Sequence, residues 1–102
     1  MGYIDYKLYQ DAEVPIKSYT GIDLTDADKV EFHVLKPDET EVIWTANAHP
    51  DDPKYAQYHL TTGDIDQAGT YIFHVYYEEG TVKTPGIANK FQVHEKYDQQ
   101  TF

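Results

Sequence analysis

A chain of 102 residues carrying eighteen acidic and eight basic side chains, with a formal net charge of −10 and no cysteine, has room for one domain around one modest core. Its negative field repels phosphate backbones, so nucleic acid is not an expected partner. The absence of thiols excludes disulfides, thiolate nucleophiles and cysteine-ligated zinc.

No run approaches the roughly 20 apolar residues of a membrane span, so no membrane partner is expected. The opening "MGYIDYKLYQ" has neither the basic nor the apolar region of a signal peptide, and Tyr6 stands where a myristoylation motif needs Ser or Thr. Ten tyrosines suit strands and contact surfaces, because the ring is apolar and its tip polar.

Period-two alternation dominates the chain. The first predicted strand covers residues 3–9, with Ile4, Tyr6 and Leu8 on one face. The second covers 13–19, where Pro15 marks an edge or a strand start. "LTDADK" has capacity for at most one helical turn, with Thr25 as its N-cap. "KVEFHVL" (29–35) turns Val30, Phe32 and Val34 inward and Glu31 and His33 outward. Pro37 and Asp38 then occupy turn positions before a strand at 41–46, so the pair reads as a β-hairpin.

"NAHPDDPK" (47–54) is a loop by composition, and a strand at 55–60 follows with Ala56, Tyr58 and Leu60 inward. The strand at 71–77 places Tyr71, Phe73, Val75 and Tyr77 on one face and Ile72, His74 and Tyr76 on the other. After the turn at "EEG", a final strand runs over 81–94, where Pro85-Gly86 predicts a bulge. Residues 1–94 form the expected domain, and 95–102 a polar tail. Seven strands joined by short turns in this length are the signature of an antiparallel sandwich.

"DQAGTY" (66–71) has the parts of a corner between two sheets. Asp66 is expected to accept from backbone N–H groups of the turn, and Gly69 tolerates a φ that other residues resist. Tyr71 points inward with a hydroxyl that must find a partner, as a corner tyrosine of an immunoglobulin-type sandwich does.

The run "DLTDADKVEFHVLKPDETEVIWTA" and the later "LTTGDIDQAGTYIFHVYYEEGTVKTPGIANKFQV" resemble small immunoglobulin-like virion proteins of tailed bacteriophages. They are also similar to the N-terminal immunoglobulin-like domain of the phage baseplate upper protein family. A "DLT-x-A" lead-in, a strand ending in "KPD", "GD-x-D-x-AG-x-Y" and a final hairpin carry the likeness over about residues 20 to 94. "KPDE" stands where such proteins often have "KPDG", which bears on the turn type.

The resemblance implies an immunoglobulin-like, fibronectin-III-like antiparallel β-sandwich of about seven strands, in a virion part with no catalytic residues. The strand order it implies, here named A to G, groups 3–9, 13–19 and 55–60 in one sheet (A, B, E) and 41–46, 29–35, 71–77 and 81–94 in the other (C′, C, F, G).

On that arrangement His33, His74 and His94 share one outer face. Zinc binding would require their registers to align within a few ångströms, so no metal or other cofactor is expected. "HPDDP" lacks the alternating oxygen ligands of a calcium loop and reads as a solvated acidic loop. No pair among the acids is set apart for glycosidase chemistry, and no enzyme is expected. The outer face should also carry Leu35, Ile72 and Tyr76, with Ile43 if Val42 and Trp44 face inward. That is apolar enough to mark a contact surface.

The expectation is therefore a non-catalytic structural protein made in a bacterial cytoplasm and residing in the virion, at the capsid surface, neck, tail or baseplate. It would touch other virion proteins or copies of itself through His33, Leu35, Ile72, His74, Tyr76 and His94. The alternative is a carbohydrate- or cell-surface-binding module stacking sugars on Trp44, Tyr76 and Tyr55. A buried Trp44 would count against it.

Overall fold

The computed structural model describes residues 2–3 and 8–95. The predicted inward positions Ile4 and Tyr6, and all but the first residue of the predicted tail, lie outside the described residues. The chain is all-β. Its strands are β1 (Gly2–Tyr3), β2 (Leu8–Tyr9), β3 (Pro15–Tyr19), β4 (Lys29–Leu35), β5 (Glu41–Thr45), β6 (Asn47–Ala48), β7 (Tyr55–His59), β8 (Gly69–Glu79) and β9 (Val82–His94). The segment 24–29, where one helical turn was expected, instead makes a tight turn at Thr25–Asp26. The Asp23 carboxylate accepts from the Thr25 backbone N–H and hydroxyl.

The larger sheet runs β1-β9-β8-β4-β5, with β2 also on β9, and the smaller runs β3-β7-β6. This corrects the expected grouping of the first strand with the second and fifth. Both β1 and β2 pair in parallel with β9, so the larger sheet is mixed. Side-chain alternation assigns a face to each residue, but it does not choose the neighbouring strand. The predicted strand at 41–46 is β5 alone, which pairs with β4 and is followed by the Ala46 N–H donating to Val30 O at 2.8 Å. The segment 47–54, expected as a loop, instead begins with β6, because Asn47 and Ala48 find ladder partners in Gln57 and Ala56 of the other sheet.

The core lies between the sheets. Phe32, Phe73, Tyr71 and Phe91 are fully buried. Phe32 stacks on Phe73 with ring centroids 4.9 Å apart, and Tyr71 on Phe91 at 5.3 Å. Trp44, only 5 % exposed, stacks on Tyr58 of the opposite sheet at 5.0 Å. Ile16, Ala56, Leu60 and Ile65 close the other side. Burying one such aromatic side chain contributes roughly 2–3 kcal/mol. The one buried polar side chain of the described core, Ser18, accepts from Asn89 Nδ2 at 2.7 Å and ties the sheets together.

The β4–β5 hairpin closes through a three-residue loop. Glu39 N–H donates to Lys36 O, Lys36 N–H donates to Thr40 O, and Glu39 takes φ 71°. This is a type I turn followed by a left-handed residue, with Pro37 at the position that favours proline. Glu39 thus occupies the one place in the loop that favours glycine. At the other hairpin, Gly80 supplies the positive φ of a two-residue turn between Glu79 and Val82. In β9 the pairing passes from His74↔Ala88 to Tyr76↔Pro85, so one extra residue bulges at Gly86–Ile87 opposite Val75.

At the corner before β8, the Tyr71 hydroxyl accepts the Gln67 backbone N–H at 3.1 Å. Burial raises the pKa of that hydroxyl. Gly69 has φ 131°, and a Cβ there would lie 2.9 Å from Pro37 Cβ and 3.0 Å from its Cγ. Asp66 departs from its expected role. Its carboxylate accepts from Lys36 Nζ at 3.0 Å, and its carbonyl accepts from Gln10 Nε2. With Gln67 Oε1 accepting from the Asp38 N–H, the "KPD" turn and the "DQAGTY" corner meet as one joint.

Candidate functional site

Because Phe32, Val34, Phe73 and Val75 turn into the core, their neighbours in sequence turn to the outer face of the larger sheet. Antiparallel register then sets them in rows. Lys90, Ile72, Leu35 and Glu41 form one row, and Ala88, His74, His33 and Ile43 the next. Tyr76, Glu31 and Thr45 follow.

The face is graded along the strands. Its apolar end is Ile72 and Leu35, beside a shallow depression of ≈ 520 Å³ that Glu41, Ile43, His33 and His74 also line. Its middle is a cluster of rings, with His33 5.1 Å from His74 and stacked on Tyr76 at 4.8 Å. Its polar end is a clamp of acids. The Glu31 carboxylate accepts from His33 Nε2 at 3.0 Å. Glu78 accepts from the Tyr76 hydroxyl at 2.7 Å and lies 3.8 Å from Lys29 Nζ.

The cluster shapes its own electrostatics. Burial, and then the neighbouring His33 ring, hold the His74 pKa below its ordinary value. The bond to Glu78 raises that of Tyr76. The lowered pKa favours the neutral form of the His74 ring at neutral pH.

The structure brings together five of the six residues expected on the face: His33, Leu35, Ile72, His74 and Tyr76. His94 points to the same side but stands apart, with its ring 5.6 Å from Tyr9. It is six residues beyond Ala88, the partner of His74, or about 20 Å along the strand. Among the described residues no group of three His, Asp or Glu side chains is placed to hold a metal ion. Sequence reasoning missed the clamp of Glu31 and Glu78 on the rings. Glu31 shares the outward parity of His33, which was the available signal.

The acidic loop after β6, residues 49–54, is knit by local bonds, His49 Nδ1 accepting from Asp51 N–H and Asp52 from Lys54 N–H. Trp44 lies in the core, which removes it from any sugar-stacking surface. No protein-family model matches this chain, and no curated protein matches it.

Proposed function

We propose that the protein is a non-catalytic structural module of a tailed-phage virion, with an immunoglobulin-like sandwich as its scaffold. It works by protein–protein contact through the outer face of β8, β4 and β5. The observation that carries this reading is the graded face itself. Ile72, Leu35 and the His33–His74–Tyr76 rings form a contiguous apolar and aromatic patch on a chain whose formal net charge is −10. Such patches mark contact sites, and an apolar centre with a polar rim is the anatomy of an interface.

Two further observations support the reading. The segments that carry the phage resemblance, "KPD" and "DQAGTY", meet in one structural joint, as fold-specifying motifs do. The buried Trp44 withdraws the main aromatic platform of the carbohydrate-binding alternative.

Complementation of a phage lacking this gene tests the proposal. An Ile72→Glu, His74→Glu double variant that folds and is soluble should fail to enter particles, whereas Tyr19→Ser, on the other sheet, should enter normally. Normal incorporation of the double variant would overturn the assignment of the face.

A further inference from the structure

The larger sheet ends on β5, and this edge is unlike the others. β9 is paired by β1 and β2 at Asn89–Lys90 and Val93–His94, and it carries Lys83, Pro85 and a bulge over the rest of its edge. β3 opens on Pro15 and carries Lys17, and β6 is two residues long. Proline, lysine and shortness are the usual devices that keep strand edges from pairing. Among the described strands, β5 alone is a five-residue edge with no Pro, Lys or bulge.

The phase of its hydrogen bonds follows from its ends. Lys36 N–H donates to Thr40 O, and Ala46 N–H donates to Val30 O. In an antiparallel ladder bonded pairs alternate, so Val42 and Trp44 bond to β4, while the N–H and C=O groups of Glu41, Ile43 and Thr45 point away from it. Ile43 is also 59 % exposed, one of the most exposed large apolar side chains in the described structure.

We infer that β5 is a homotypic strand-pairing edge, joining two copies of this chain antiparallel about a two-fold axis through Ile43. That register alone engages all three outward residues. Ile43 meets Ile43 of the second copy, and each Glu41 meets Thr45, every pair exchanging two hydrogen bonds. No acid then faces an acid directly across the seam, where like charges are destabilising. Shifting the register by two residues leaves one outward residue unpaired and sets Glu41 against Ile43. The pairing would also cover the exposed Ile43 side chains with each other and leave the outer face of β8 open. This inference does not depend on the virion reading.

Sedimentation equilibrium from micromolar to millimolar concentration should show a weak monomer–dimer equilibrium. It should tighten as salt is raised, because two strongly acidic copies repel at low ionic strength. Hydrogen exchange should show the Glu41, Ile43 and Thr45 amides gaining protection as the dimer forms. Ile43→Lys, at an exposed site, should keep the fold and weaken association roughly tenfold or more by placing like charges across the axis. Val82→Lys, exposed at the β8–β9 hairpin and outside both the edge and the contact face, should leave association unchanged. A chain monomeric throughout, association without protection of those three amides, or association abolished by Val82→Lys but not by Ile43→Lys would each overturn the inference.

Discussion

Replacing Gly69 with alanine should unfold the corner that joins the two halves of the chain. Two costs add. At φ 131° an L side chain is strained by about 1–3 kcal/mol. The new Cβ would also stand 2.9 Å from Pro37 Cβ, closer than van der Waals contact allows, and overpacking of this kind costs about 1–3 kcal/mol more. Pro37 cannot yield easily, because Glu39 N–H→Lys36 O, Asp38 N–H→Gln67 Oε1 and the Lys36–Asp66 ion pair hold its turn on both sides. The middle of the summed range is about 4 kcal/mol, or roughly 16–32 °C in Tm for a domain of this size.

Urea titration at constant temperature measures it, and the midpoint should fall with an unchanged slope. A double-mutant cycle with Pro37→Gly separates the terms. The steric part should vanish in that background and the backbone part remain, giving a coupling of about 1 kcal/mol or more. A Gly69→Ala variant within about 0.5 kcal/mol of the parent would mean that the corner neither requires a left-handed residue nor crowds Pro37.

Other consequences follow from the same joint and from the ring cluster. Glu39→Gly removes a left-handed penalty of about 1–2 kcal/mol and adds about 0.5–1 kcal/mol of unfolded-state entropy. Urea titration should therefore find the variant more stable by about 0.5–1 kcal/mol. Tyr71→Phe leaves the Gln67 N–H without its acceptor and should cost about 1–2 kcal/mol in the same assay. His74 has a folded-state pKa below its ordinary 6.5, so the unfolded chain binds the proton more readily. Its contribution to stability is full above that value and is lost as pH falls through the lower folded pKa. His74→Phe should flatten this part of the stability–pH curve between neutral and mildly acidic pH. A curve of unchanged slope there would contradict the assignment.

The period-two pattern made the faces legible. Val30, Phe32, Val34, Tyr71, Phe73 and Val75 are buried where their parity put them, and turn chemistry located both hairpins and the β9 bulge. Partners distant in sequence were not legible. Parallel pairing of β1 and β2 with β9 has no turn to announce it. A composition that permits an Asx-type bond at Asp66 does not reveal that Lys36, thirty residues earlier, takes the carboxylate instead. Parity placed His94 on the correct side, but position along the strand, which parity does not encode, separates it from His33 and His74. The exposed edge of β5 is a property of sheet order and became visible only when the strands were assembled.

If this chain is a built-in part of a virion, as we propose, quantitative mass spectrometry of gradient-purified particles, from cells in which the gene is expressed during phage production, should find it there. It should stand at a fixed ratio to the major structural subunits and be retained through further purification. Presence in the lysate with consistent absence from the particles would contradict the proposal.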